Sequence, residues 1–137
     1  MDKNGKPIIL LIDKLKIGNR YFREIVNDGD DFFIRWAQRA CEILPIIKEI
    51  KTMGGEIDII VTTIAILGTK TATNGIDLIK SLRKEFPSVS ILVWTKMPKG
   101  ITDKAIEAGA NAVFKKFSDE EKELRKIILD IIANSSK

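Results

Sequence analysis

The sequence predicts one α/β domain in which five strands alternate with five helical segments, an order that calls for a parallel sheet wrapped by helices on both faces. Two observations carry this expectation. The chain has 137 residues and is 45% hydrophobic, enough for one real core and too short for two ordinary domains. Several apolar stretches are also continuous runs closed by acids or turn residues, the pattern of strands buried on both sides. The domain is taken as residues 1–137, with a core over about 6–133.

Residues 6–13 (KPIILLID) read as the first strand. Behind it, Ile17, Tyr21, Phe22, Ile25 and Val26 fall on one helical stripe. Residues 28–31 (DGDD) have turn chemistry, and 32–37 (FFIRWA) form a second strand of aromatic and branched side chains. Pro45 suits the first turn of a helix and Gly54 and Gly55 its exit, so residues 45–53 are helical, with a start open as far back as Ala40.

Residues 57–66 (IDIIVTTIAI) are the third strand, and 67–75 (LGTKTATNG) a loop. Apolar residues at helical spacing mark a helix over 76–86, which Pro87 stops. Residues 89–95 are strand four, 101–110 a short helix ending on Gly109, and 111–117 strand five. The last helix covers 118–132, with Ser118 as N-cap and Glu121 completing a capping box.

Composition excludes much chemistry. With no histidine, imidazole catalysis, most zinc sites and a phosphohistidine are ruled out. Cys41 is the sole cysteine, so no internal disulfide or thiolate cluster can form, and it reads as a small buried residue. Trp36 and Trp94 read as core. A net charge of +4 spread among 31% charged residues falls short of a nucleic-acid binder's basic patch. No targeting or membrane-spanning stretch is evident, which gives a cytoplasmic expectation with no membrane partner.

In an open parallel sheet, functional groups gather at the carboxyl ends of the strands, where strand order switches. Those ends carry Asp13, Thr62 and Thr63, Thr95, and Lys115 and Lys116. The segments NGIDLIKSLRKEFPSVSILVWT and AIEAGANAVFKKF, together with these residues, resemble the receiver domain of two-component response regulators. The resemblance implies a flavodoxin-like doubly wound sheet of order 2-1-3-4-5. It also implies a phosphoacceptor aspartate ending strand three, an acidic pair holding Mg²⁺ after strand one, and a hydroxyl and a lysine that read the phosphate.

Thr95 matches the hydroxyl position and Lys116 the lysine, with Lys115 as the alternative if the register shifts by one. Asp13 matches the first acid, but Lys14 stands at the second, and Thr63 stands where the phosphoacceptor belongs. Phe117 replaces the usual proline after the lysine, and Val113 the usual aromatic residue. The resemblance therefore points to a degenerate receiver, a pseudo-receiver, with weak or no Mg²⁺ binding, no cofactor and no enzymatic activity. Lys14 or Lys116 would pair with Asp13 in the ion's place. For Thr63 the expected role is a strand-end hydroxyl that satisfies its own backbone.

The function expected is that of a stand-alone signalling module of two-component or phosphorelay type that works by phosphorylation-independent protein contact. The interaction face would comprise Lys99, Lys104, Val113 and Lys115. Its partner would present an acidic surface, as a sensor kinase or a downstream signalling protein; no nucleic acid is expected. The alternative is a small anion or phosphate binder that uses Thr63, Thr95 and Lys116, with residues 68–75 as a lid.

Overall fold

The computed structural model describes residues 1–26, 32–64, 72–96 and 99–135. The elements run β1 Ile8–Ile12, α1 Lys16–Ile25, β2 Phe33–Ala37, a 3-10 turn Ala40–Glu42, α2 Ile43–Thr52, β3 Ile59–Thr62, α3 Ala72–Glu85, β4 Ser90–Thr95, α4 Thr102–Ala108, β5 Ala112–Lys115 and α5 Glu120–Ser135. The strands form one sheet of order β2-β1-β3-β4-β5, with every neighbouring pair parallel. This is the doubly wound, flavodoxin-like order, and its switch point lies between β1 and β3.

Strand alternation divides the core into two layers. Leu10, Ile12, Ile60, Ile91 and Val93 face one side, under Ile43, Ile46, Ile47 and Ile50 of α2, Ile79 and Leu82 of α3, and Ala105 and Ala108 of α4. Ile9, Leu11, Ile59, Val61, Leu92, Trp94 and Phe114 face the other, under Phe22 of α1 and Leu124 and Ile128 of α5. A strand covered on both faces has no solvent side. That is why β1 and β3 read as unbroken apolar runs.

Several local expectations change. The 28–31 turn and residues 67–71 of the 67–75 loop, including half of the suggested lid, lie outside the described residues. Residues 72–75 are already helical: α3 begins four residues before Ile76. Gly75 explains why that start was hidden, because glycine weakens a helix by propensity. Here it is required by contact, since a Cβ would lie 2.0 Å from the Ile64 carbonyl oxygen at the end of β3.

Ile17, assigned to the buried stripe, is 62% exposed, while Phe22 and Val26 are buried as expected. Cys41 is exposed, because it sits in the 3-10 turn ahead of α2. That turn settles the open helix start: the α-helix proper begins at Ile43. The expected capping box at α5 does not form. Ser118 Oγ accepts the Glu120 N–H, but the Glu121 carboxylate turns inward instead.

One polar clamp fixes the corner between α3, β4 and β5. Arg83 donates from Nε to the Gly109 carbonyl, from Nη1 to the carbonyls of Phe86, Pro87 and Val89, and from Nη2 to Asn111 Oδ1. Asn111 Oδ1 also accepts the Ile91 N–H at the entry to β4. These carbonyls lie in turns where no regular ladder could satisfy them.

Candidate functional site

Asp13 follows directly on β1 and is 1% exposed. Its Oδ1 accepts the Leu15 N–H at 3.0 Å, a local bond that turns the chain into α1. Its Oδ2 pairs with the ammonium of Lys116, which itself is only 4% exposed. The N-terminal turn of α1 lies beside this carboxylate, and the helix dipole favours negative charge there. Gly18 makes the approach possible: a Cβ at that position would lie 2.3 Å from Asp13 Oδ2.

The choice between the two lysines is settled by the strand. Lys115 is the last residue of β5, pairs in register with Thr95, and is exposed. Lys116 turns into the cleft, its backbone N–H donating to the Thr95 carbonyl at 2.8 Å. Its ammonium also sits 4.6 Å from the centre of the Trp94 ring, so the buried cation is shared between a carboxylate and an aromatic face.

Behind this pair lies a network that was not foreseen from the sequence. Trp94 Nε1 donates to Glu121 Oε2 at 2.9 Å, and Tyr21 Oη donates to Glu121 Oε1 at 3.0 Å. Both oxygens of a carboxylate that is 6% exposed are thereby satisfied. The bond to Glu121 holds the Tyr21 hydroxyl above its ordinary pKa of 10.0, because ionisation would set a phenolate against that carboxylate. The rings of Tyr21 and Trp94 stack at 6.2 Å, and Phe22 packs against Trp94 at 5.7 Å. Only the inward periodicity of Glu121 with Leu124 and Ile128 could have marked this acid as buried.

The remaining site residues are placed as follows. Thr63 and Thr95 are buried at the ends of β3 and β4. Thr63 donates its N–H to the Ile12 carbonyl, but the hydroxyl that satisfies the strand end belongs to Thr62, whose Oγ1 donates to the Thr63 carbonyl at 2.9 Å. Lys14 is half-buried beside the cleft, its carbonyl accepting Gln38 Nε2. The pairing with Asp13 falls to Lys116. Lys99, Lys104 and Lys115 are exposed along α4 and β5, while Val113 is half-buried against the α2–α4 layer.

These residues do not fit the Mg²⁺ ion that the resemblance implies. A magnesium site of this kind needs free carboxylate oxygens. Both oxygens of Asp13 are engaged, one by a cation, and Lys14 brings a second positive charge to the position of the missing acid.

A larger groove of about 530 Å³ opens at the opposite end of the sheet, lined by Ile47, Ile50, Ile57, Phe86 and Val89. None of the cleft residues lines it. It is the gap left between the C-terminal ends of α2 and α3.

No family model matches the chain, and no curated protein matches it by sequence. Its fold does match solved structures. The signal receiver domain of an HD domain-containing protein from Pseudomonas fluorescens Pf-5 superposes with a TM-score of 0.75 at 19% identity, over 96% of this chain and 99% of that one. A response regulator receiver domain protein from Clostridium thermocellum gives 0.73 at 20%, over 95% and 97%. A response regulator from Thermotoga maritima gives 0.74 at 19%, over 93% and 98%. At these identities the likeness is one of architecture, and the conclusion is that this chain has the fold of a response-regulator receiver domain along nearly its whole length.

Proposed function

We propose that this protein is a receiver-like signalling module that acts by protein contact, without Mg²⁺-dependent phosphorylation of an aspartate and without enzymatic activity of its own. One observation carries the reading: the Asp13 carboxylate, the only surviving acid of the receiver-like cleft, is neutralised by Lys116. The Lys116 ammonium occupies one oxygen of the carboxylate that a divalent ion would need. Thr63 at the end of β3 offers a hydroxyl where a carboxylate would be needed to attack a phosphoryl donor. The exposed Lys99, Lys104 and Lys115 favour a partner with an acidic surface, bound in a salt-sensitive way. Among the described residues no helix is long and apolar enough to cross a membrane.

The alternative of an anion or phosphate binder in the same cleft loses its main cation, since Lys116 is committed to Asp13.

The test is an amide NMR titration with Mg²⁺ and then acetyl phosphate, with intact mass recorded alongside. The expected result is no mass gain and no shift at Asp13, Thr63, Thr95 or Lys116. A covalent adduct would overturn the reading, and saturable shifts at Thr95 and Lys116 without a mass gain would transfer support to anion binding.

A further inference from the structure

Two asparagines in this chain precede a glycine, Asn4 and Asn74. That dipeptide is chemically labile, because glycine has no side chain to obstruct attack of its nitrogen on the neighbouring side-chain amide. As dipeptides the two sites are equivalent. The fold makes them different.

Asn4 lies in a β-turn from Asp2 to Gly5, closed by one bond from the Gly5 N–H to the Asp2 carbonyl at 3.0 Å. Asn4 and Gly5 are both exposed. The Asn4 N–H donates to Asp2 Oδ1 at 2.9 Å, but among the described residues the Asn4 side-chain amide has no hydrogen-bond partner. Gly5 has a φ of +83°, and a Cβ built there would meet nothing within 4 Å. Asp2 also holds Lys6, donating its N–H to the Lys6 carbonyl at 2.7 Å and accepting the Lys6 N–H on Oδ1 at 2.8 Å. The ends of the turn are thus tied, while its tip can change shape at the cost of one solvent-exposed bond.

Asn74 stands in the first turn of α3. In a helix every Cα–Cβ bond tilts toward the N-terminus, away from the nitrogen of the next residue. Gly75 is buried, and its Cα is pressed so close to the Ile64 carbonyl oxygen that a Cβ would lie 2.0 Å from it. Ring closure at this site requires the turn to open and Gly75 to leave its contact with the end of β3.

We propose that Asn4 is a site of spontaneous deamidation and isoaspartate formation, and that the fold shields Asn74 from the same reaction. The Gly5 nitrogen bonds to Asn4 Cγ, and its proton leaves with the side-chain amide nitrogen as ammonia. Water then opens the cyclic imide at either carbonyl. Opening at the side-chain carbonyl gives an aspartate in a normal backbone. Opening at the main-chain carbonyl gives an isoaspartate, whose chain runs through the former side chain and is longer by one methylene. Both products carry a new negative charge, and the longer chain disturbs the turn that Asp2 and Lys6 close. The proposal is independent of the contact-driven reading.

The test ages the whole protein in mildly alkaline buffer and uses fragmentation mass spectrometry of the intact chain to locate each replacement of an amide NH2 by OH. A synthetic peptide of residues 1–8 gives the rate for Asn4 without the fold. Asn4 should convert at least roughly tenfold faster than Asn74, as expected when only one site must open a helical turn. In urea the two rates should converge. Asn4→Gln should remove the fast conversion, and Asn74→Gln should leave it unchanged. Isoaspartyl methyltransferase should label the aged protein and not the aged Asn4→Gln variant.

Conversion of Asn74 as fast as Asn4, an intact Asn4 after the peptide has converted, or a fast phase that survives Asn4→Gln would overturn the proposal. So would a difference between the two sites that persists undiminished in urea, since it would then belong to the local sequence and not to the fold.

Discussion

Lys116 reaches over the ends of β4 and β3 to pair with Asp13, 103 residues earlier in the chain. The pair joins the edge strand β5 to the inner strand β1 across the carboxyl end of the sheet. Both partners are almost wholly buried, so each solvates the other in place of water. A buried pair of this kind adds little stability over an apolar substitute, yet becomes costly when only one partner is removed.

Lys116→Met should therefore destabilise the protein by about 3–5 kcal/mol, as should Asp13→Ala, because each leaves a buried charge without its counterpart. The double variant should lose clearly less than the two singles summed. Urea denaturation of all four proteins gives the coupling directly. Additive losses would mean that the two groups do not interact as the geometry requires.

Gly18→Ala should cost about 1–3 kcal/mol by overpacking, despite the roughly 1 kcal/mol by which alanine is the better helix former. The reason is the 2.3 Å distance between a Cβ there and Asp13 Oδ2. A lower denaturation midpoint at an unchanged slope is the expected readout. A gain in stability would show that the carboxylate can step aside.

Tyr21 is the only tyrosine, so ultraviolet absorbance follows its ionisation without interference from another. Its folded-state pKa is raised above 10.0 by Glu121, which accepts its hydrogen bond. The folded protein thus keeps a proton that the unfolded chain has released. Its contribution to stability is complete below about pH 10 and is lost as pH rises through the folded-state value. Glu121→Gln removes the charge and should bring the midpoint back toward 10.0, and an unmoved midpoint would exclude Glu121 as the cause.

Arg83→Met should destabilise by about 2–3 kcal/mol, given the several carbonyls that lose a charged donor. Hydrogen exchange at Ile91 and Asn111 should quicken first, since those amides sit at the clamp. Arg83→Lys should recover little, because an ammonium cannot spread donors in a planar fork over Gly109, Val89 and Asn111.

The element order was legible because burial on two faces leaves a direct trace. The runs at 8–12 and 59–62 admit no solvent-facing side, and Pro87 and Gly109 mark the helix ends they were expected to mark. The strand ends were legible for the same reason, since a polar residue closing such a run must stand at the rim of the sheet. Asp13, Thr63, Thr95 and Lys116 were found that way, and all four are buried there.

What periodicity could not reach was the direction of individual polar side chains. Glu121 fits a capping box by spacing, yet its carboxylate serves Tyr21 and Trp94, contacts made across 100 and 27 residues. Ile17 fits an apolar stripe, yet α1 is tilted so that Phe22 and Val26 face the sheet and Ile17 faces water. Gly75 reads as a helix breaker until the Ile64 carbonyl is seen against it.

By itself, the sequence determined the parallel α/β architecture and the set of residues at the strand ends, because both follow from local alternation and from the cost of burying polar groups. The tertiary structure alone decided that Lys116 rather than Lys115 or Lys14 neutralises Asp13, and that Phe117 is turned outward beside Tyr21. Those outcomes depend on the register of β5 against β4 and on the close approach of α1 at Gly18, distances set by packing between segments far apart in the chain.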